Sequence, residues 1–320
     1  MLQGGVCAIA AFGLFGAMPF YWYLLREVAA AQVAAHSVVW SALTLVSLVA
    51  GTGQWRDFWT MSVTRRNVVV YGIVGALHAF NHLLIIYATA SLHVLDVSLG
   101  LLLAPFIDGT LACWVLSEPM STKQWIAVSV AIAAAGAVGA GNREIPIIAI
   151  FLPLSVGMSN LLQVLAPVEM FHGITLQTTL LLPPAIIYLV VLHIQDTGAF
   201  VQAGVSISAA LVGGGVLSTL PPLLITRATV LLPSVSISAL QYIAPVVLFV
   251  VGAVYFLEPL GWLQCMGFGV VTAMAALFLY ETIRETNRVN AMIPVLRTVY
   301  LYDSPVQSSL ALADRPSLEV

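Results

Sequence analysis

Charged side chains are scarce in this sequence. Only 8% of its 320 residues are Asp, Glu, Lys or Arg, whereas about a quarter are charged in an average soluble protein. Hydrophobic residues make up 60%, and the mean hydropathy is +1.01. These values exclude the ordinary water-soluble classes. The net charge of −3 also provides no basic surface for nucleic acid, so no nucleic-acid partner is expected.

Cysteines and nucleotide-binding motifs are scarce as well. The three cysteines, Cys7, Cys113 and Cys265, lie in apolar runs and form no close pair, so neither a disulfide framework nor a zinc site is expected. The phosphate-binding pattern GxxxxGK[ST] is absent, which argues against ATP drive within this chain. The sequence therefore predicts no cofactor and no resident metal.

Ten long apolar segments are what the sequence does contain. A helix needs about 20 apolar residues to cross the hydrocarbon layer, and no segment alternates with the period of two that barrel strands show. The first segment has no preceding Lys or Arg, so we interpret it as a span and not as a secretory signal. An all-α membrane protein with ten transmembrane helices is predicted, with spans at about 3–25, 33–51, 68–90, 95–116, 124–141, 145–166, 175–193, 207–227, 234–256 and 261–281.

The basic residues between the spans predict the orientation. With the N-terminus inside, Arg26 and Arg143 fall outside, and Arg227 lies near the inner end of the eighth span. The inner side receives the other eight: Arg56, Arg65, Arg66, Lys123, Arg284, Arg288, Arg297 and Arg315. Because cytoplasmic loops carry excess Lys and Arg, we predict that both termini are cytoplasmic. We also predict a plasma-membrane location and membrane lipid as a partner.

Two stretches of the sequence repeat at one constant offset. Ser98, Ala104-Pro105 and Glu118-Pro119 recur 140 positions later as Ser238, Ala244-Pro245 and Glu258-Pro259. The offset covers five spans, an odd number, so the second copy must cross the membrane in the opposite direction. We predict two inverted five-helix repeats, 1–143 and 144–283, followed by a loosely ordered cytoplasmic tail, 284–320. This architecture is typical of transporters that work by alternating access.

The repeated residues also resemble a known family. The chain is similar to the RarD-like permeases of the EamA-type drug/metabolite transporter superfamily from the first span to the tenth. The resemblance rests on His36 with Val39-Trp40-Ser41, Asn81, Ser98-Leu99-Gly100 with Pro105, Thr219 with Pro221, and Gln241-Tyr242-Ile243 with Pro245 and Glu258. It implies a ten-helix permease with cytoplasmic termini. The chain departs from the family pattern at Ser37, where Arg is usual, and at Asp108, where Asn is usual. Asn160 and Gln163 are present, but the basic residue expected shortly after them is missing.

Polar residues within spans are costly and usually face a partner or a cavity. Asp108 is the leading candidate, either as a substrate or proton site or as a carboxyl hydrogen-bonded inside the bundle. Proline frees a carbonyl one turn earlier, which places Gln241 beside such a group. The predicted substrate-binding residues are Asn81, Asp108, Gln241, Tyr242, His36, Trp40, Ser98 and Ser238.

Four further residues are predicted to act in gating: Pro105, Pro221, Pro245 and Arg227. The prolines could instead be structural kinks. The Arg227 side chain could extend to the lipid headgroups. Glu118 and Glu258 are interpreted as solvated helix ends.

The sequence therefore predicts a secondary transporter of a small polar or amphipathic metabolite or drug, not an enzyme. One alternative is a membrane-embedded enzyme that uses His78 and His82, four residues apart, in a metal centre, or Ser98 as a nucleophile near His93. A non-transporting membrane scaffold is another. A coupling proton and a homodimer stay open.

Overall fold

The computed structural model describes residues 2–141 and 147–302, and this part of the chain consists of helices joined by short loops, without strands. Ten helices are long and apolar enough to cross a membrane, which confirms the predicted fold class. We number them α1 Leu2–Tyr23, α2 Ala30–Gly51, α3 Arg65–Ala90, α4 Val94–Val115, α5 Thr122–Gly141, α6 Ile147–Leu165, α7 Met170–Ile194, α8 Val205–Leu231, α9 Ser234–Tyr255 and α10 Trp262–Tyr302.

Two parts of the predicted domain organisation fall outside the described residues. These are the boundary between 143 and 144 and residues 303–320 of the predicted tail. The helix α10 continues to Tyr302, well beyond 284, where the tail was expected to begin.

Local sequence explains how one helix begins and where two others are interrupted. The Thr64 hydroxyl accepts a hydrogen bond from the Asn67 N–H at 3.2 Å and so caps the start of α3. In α7, Pro183 and Pro184 follow a break between Leu180 and Leu182, as expected of residues without an N–H. The helix α9 is interrupted at Gln241 and Tyr242, shortly before Pro245.

The helix pairings repeat between the two halves of the chain. The helix α1 packs on α8 and α6 packs on α3, while α2 packs on α8 and α7 on α3. Likewise α4 packs on α6, and α9 on α1. These six contacts form three couples. In each couple, a shift of five in the helix numbers converts one contact into the other, so the two contacts are equivalent in the repeat. Three further major contacts, between α2 and α7, between α4 and α9 and between α5 and α10, join equivalent helices directly.

Several local structures recur at the 140-residue offset. Ser117 and Leu257 both have a positive φ, of 58° and 52°, directly before the Glu-Pro pairs. Such a left-handed residue is a common way to end a helix. Similarly, the Gln124 side chain accepts from the Ser121 N–H at 2.8 Å, and the Gln264 side chain accepts from the Gly261 N–H at 2.7 Å. The repeat therefore extends to backbone geometry that the residue pattern alone did not include.

Candidate substrate cavity

A cavity of about 410 Å³ lies between six helices: α1, α2, α3, α6, α7 and α8. Its volume falls within the range of small-molecule sites in proteins. Trp22 of α1 and His82 of α3 lie at one end of it, with ring centroids 5.1 Å apart and the rings nearly perpendicular. At the other end the lining includes Gln163 near the end of α6 and Met170 at the start of α7.

The two ends of the cavity differ in how they are covered. Beyond Trp22, the side chains of Leu25, Val28 and Val33 are buried and pack in the same apolar cluster. At the opposite end, Met170 is 37% exposed. The cavity is therefore sealed next to Trp22 and extends towards the surface next to Met170.

Three buried polar atoms in the lining have no hydrogen-bond partner among the described residues. They are Ser37 Oγ, His82 Nε2 and Gln177 Oε1. Burying an unpaired polar group typically costs about 1–3 kcal/mol, so such groups indicate a place where another molecule supplies the missing hydrogen bond. Other polar lining groups are already paired: the Ser41 hydroxyl donates to the Gly215 carbonyl at 2.7 Å.

Asp108 lies behind this lining, on α4. The amide Nδ2 of Asn160, a lining residue, lies 3.2 Å from each carboxylate oxygen of Asp108. The carboxylate therefore holds the Asn160 side chain in place. Asp108 itself does not belong to the described cavity lining.

The eight predicted substrate-binding residues are spread over several places, and none is among the described lining residues. His36 stacks on Phe200 with ring centroids 5.1 Å apart, and Trp40 lies 6.3 Å from the same ring. The Asn81 side chain accepts a hydrogen bond from the Ser155 hydroxyl.

The remaining predicted residues lie on α4 and α9. The Ser98 hydroxyl donates to the Pro245 carbonyl at 2.8 Å, and the Ser238 hydroxyl donates to the Ser234 carbonyl at 3.1 Å. Gln241 and Tyr242 form the interruption of α9. Direct contact between these residues and a substrate stays a prediction.

The predicted gating residues occupy different environments. Pro221 lines the cavity. Pro105 lies inside an uninterrupted α4, whereas Pro245 follows the break in α9. Arg227 is exposed near the end of α8.

The residues named in the enzyme alternatives make other contacts in the described part of the chain. No group of three metal-ligating side chains occurs there, and His78 directs Nδ1 to the Val74 carbonyl at 3.0 Å. Ser98 is bonded to the Pro245 carbonyl, while His93 contacts the carbonyl of Ser91.

Sequence reasoning missed Trp22 and Gln177 as lining residues and noted Ser37 only as a departure from a family pattern. Gln177 could have been found, because it is a polar residue in the middle of an apolar span. Trp22 carries no such signal. Its place in the cavity depends on how α1 is rotated against its neighbours.

Glu258 closes one end of the bundle, the end that also contains Trp22. Its Oε1 accepts from the Val94 N–H at 2.6 Å and its Oε2 from the Leu95 N–H at 2.9 Å. Glu258 is 7% exposed, so its interpretation as a solvated helix end was wrong. Burial raises the pKa of the Glu258 carboxyl above its ordinary value, and the two N–H groups partly oppose this rise.

Comparisons with known proteins find transporters of similar sequence. No family model matches the chain. It is 29% identical over 286 residues to protein RarD of Escherichia coli, which covers 89% of this chain and 97% of that protein. It is 29% identical over 282 residues to an uncharacterized transporter of Vibrio cholerae (88% and 93% covered), and 28% identical over 288 residues to the uncharacterized transporter YojE of Bacillus subtilis (88% and 95% covered). The resemblance to RarD-like permeases is thus confirmed over almost nine-tenths of the chain, and in general terms it identifies a multi-pass membrane transporter.

Proposed function

We propose that this protein is a secondary transporter that carries a small amphipathic solute across the plasma membrane by alternating access between two inverted halves. The observation that carries the proposal is an asymmetry between two equivalent residues. Glu258 is bonded to the start of α4 at the sealed end of the cavity, whereas Glu118, 140 positions earlier, is exposed at the end of α4.

The contact between α4 and α9 supports the inverted relation of the halves. Along this contact, Val94 and Ser98 of α4 meet Glu258 and Pro245 in the reverse chain order. The two helices therefore run antiparallel. Since α4 and α9 are the equivalent helices of the repeat, this antiparallel contact supports an inverted arrangement of the two halves, the arrangement used in alternating access.

The helix endings before the two glutamates share one hydrogen bond, although α9 ends in a π-helical turn, Val251–Tyr255, and α4 remains α-helical to Val115. The Glu118 N–H donates to the Ala112 carbonyl at 3.4 Å, and the Glu258 N–H donates to the Gly252 carbonyl at 3.0 Å. These acceptors are again 140 positions apart. The endings differ in what the carboxylate contacts.

A second pair of equivalent residues, Gln32 and His172, makes polar contacts in both halves of the chain. Gln32, at the start of α2, donates to the Thr197 carbonyl and accepts from the Ala199 N–H, both at 2.9 Å. Its equivalent His172, at the start of α7, contacts Ser62 at 3.2 Å and Gln54 at 3.1 Å. These contacts bind each half to the other half's loop at both ends of the bundle. The loop contacts of Gln32 and His172 are therefore present on both sides of the bundle. The two sides differ in the glutamate contact, which only Glu258 makes.

Alternating access then consists of an exchange of carboxylate contacts. In the described conformation Glu258 holds the outer end closed. In the opposite conformation Glu118 accepts from the N–H groups of Ser234 and Val235, the residues 140 positions after Val94 and Leu95, and Glu258 is released. With cytoplasmic termini, the described conformation has its cavity directed to the cytoplasm.

The predicted site residues act in this scheme next to the cavity. Asp108 positions Asn160, and Asn81 engages Ser155. Together with His36, Trp40, Gln241, Tyr242, Ser98 and Ser238, they are candidates for solute contact in the conformation in which α9 and α4 have exchanged their shapes.

Thiol labelling tests the exchange without knowledge of the solute. Cys7, Cys113 and Cys265 are first replaced by Ser. Single cysteines are then placed at Thr178, which lines the cavity, and at Val28, which seals its outer end. A membrane-impermeant maleimide is applied to each face of oriented proteoliposomes. We expect Thr178→Cys to react from the inner face and Val28→Cys to react from the outer face when the conformation reverses.

Two matched variants make this test directional. Glu258→Ala should raise labelling of the cysteine at 28 and lower labelling at 178, while Glu118→Ala should do the opposite. Parallel changes at both positions, or reaction from one face alone under all conditions, would contradict alternating access.

A further inference from the structure

We infer that the cavity binds an uncharged, elongated molecule that combines a planar ring with an amide or hydroxyl group. This inference rests on the proposed function, since it names the class of solute that the same cavity receives. It is carried by three features: the absence of charged side chains from the described lining, the aromatic groups at the sealed end, and the unpaired polar atoms.

The described cavity lining contains no Asp, Glu, Lys or Arg side chain. Histidines 78 and 82 are its ionisable members. An ion moved from water into a poorly hydrated cavity loses its hydration, and this loss is offset only by an opposite charge or by several hydrogen bonds. A solute with a net charge would find no such partner in direct contact, so the lining selects an uncharged one.

Asp108 is the carboxylate to consider as a partner for a cationic solute. Both of its oxygens lie at 3.2 Å from the Asn160 amide, and one lies 3.2 Å from the place where a Cβ would stand on Gly157. The carboxylate is thus turned to α6, and both of its oxygens are engaged by the amide of a lining residue. A cation bound to these oxygens would compete with the Asn160 amide.

The sealed end of the cavity suits a planar ring. Trp22 and His82 form a perpendicular pair there, and Phe15 also lines the cavity. Aromatic rings pack favourably against one another in offset or edge-to-face arrangements. The unpaired Ser37 Oγ and His82 Nε2 are both buried in the lining, so a ring N–H or a hydroxyl on the solute would satisfy them.

Gln177 supplies a second polar point, nearer the open end. Its backbone carbonyl lies 2.7 Å from where a Cβ would stand on Gly75, so Gln177 is level with Gly75 on α3. His82 lies seven residues further along the same helix, a rise of about 10 Å. Since Gln177 Oε1 is an unpaired acceptor, a solute that spans the two points must present an N–H or O–H donor there.

Three probes with one ring system and different charges test the class. They are indole-3-acetamide, which is neutral, indole-3-acetate, which is an anion, and tryptamine, which is a cation. Binding to the purified full-length protein is measured by equilibrium dialysis at neutral pH. We expect indole-3-acetamide to bind at least tenfold more tightly than either charged probe. Equal or tighter binding of a charged probe, or no binding of any of the three, would overturn the inference.

A matched pair of serine variants locates the binding. Ser37 and Ser159 both have a buried hydroxyl without a partner among the described residues, but Ser159 is not in the described lining. Ser37→Ala should weaken binding of indole-3-acetamide several-fold, whereas Ser159→Ala should leave it unchanged. Equal effects of the two substitutions would refute the assignment to this cavity.

Counterflow in proteoliposomes separates this inference from the proposed function. Uptake of tryptamine that is lost in Asp108→Asn would overturn the uncharged class while supporting transport. Tight, selective binding of indole-3-acetamide without counterflow of any probe would support the class and count against transport.

Discussion

Glu258 and Glu118 occupy equivalent positions after the same left-handed helix ending, yet the Glu258 carboxylate is bonded to Val94 and Leu95 while Glu118 is exposed. One chain thus contains both the engaged and the disengaged form of a single repeated structure. The other equivalent contacts, made by Gln32 and His172, are engaged on both sides. The asymmetry at the two glutamates is therefore a property of this conformation, and it leads to the first prediction.

Removal of the Glu258 carboxylate should destabilise the described conformation. In Glu258→Ala two buried backbone N–H groups lose their acceptor, which should lower the free energy of unfolding by about 1–3 kcal/mol. In Glu118→Ala the same atoms are removed from an exposed position, so the change should stay within about 0.5 kcal/mol. Unfolding in mild detergent measures both. Equal losses would show that Glu258 contributes no more than its counterpart.

The raised pKa of Glu258 predicts a pH dependence. The folded protein binds this proton more tightly than the unfolded chain does, because the folded pKa lies above the ordinary value of 4.5. The stability contributed by Glu258 should therefore rise as the pH falls through the folded pKa towards 4.5. Glu258→Gln cannot titrate, so wild type should gain stability relative to it over this range. A relative loss on acidification would contradict the direction of the shift.

Close packing between α2 and α8 predicts a severe effect of one added methyl group. A Cβ on Gly215 would overlap the Trp40 side chain and lie 3.1 Å from the Ser37 carbonyl oxygen. Gly215→Ala should cost about 1–3 kcal/mol of stability. Gly136, on α5, has nothing within 4 Å of its Cβ position, so Gly136→Ala should be neutral or slightly stabilising. Thermal unfolding of the two variants checks the contrast.

Asp108 should affect ligand binding through Asn160. In Asp108→Asn the new amide can accept from Asn160 through only one oxygen, so one of the two contacts at 3.2 Å is lost. We expect indole-3-acetamide to bind about two- to tenfold more weakly, the equivalent of one neutral hydrogen bond of roughly 0.5–1.5 kcal/mol. Asp57→Asn, at an exposed position, is the control. An effect of equal size there would remove the role of Asp108.

The sequence was sufficient to predict the helices because the bilayer imposes a length and a composition on each span. The fourth span, expected at about 95–116, is observed at Val94–Val115. The 140-residue offset was also visible, since the pairs Ala-Pro and Glu-Pro recur in the sequence itself. The left-handed backbone shared by Ser117 and Leu257 could not be predicted from the sequence, because a positive φ here is not marked by one residue type.

The cavity lining was largely beyond sequence reasoning, and so was the environment of Glu258. Which side chains face a cavity depends on the rotation of each helix against its neighbours, and nearly every face of these helices is apolar. All four of Ser37, Gln177, His36 and Asn81 are polar residues in apolar spans. Only Ser37 and Gln177 belong to the described cavity lining. Glu258 appeared to be a solvated helix end because its partners, Val94 and Leu95, are backbone groups more than 160 positions away.

The interruption of α9 has a consequence for the temperature dependence of transport. Gln241 and Tyr242 break α9, while the equivalent Leu101 and Leu102 lie inside an unbroken α4. If the two halves exchange shapes, each cycle must unwind one turn of α4 and rewind one turn of α9 inside the hydrocarbon layer. Backbone groups exposed there find no water to bond, so the turnover rate should carry a steep activation enthalpy, and cooling should slow solute movement far more than it slows solute binding.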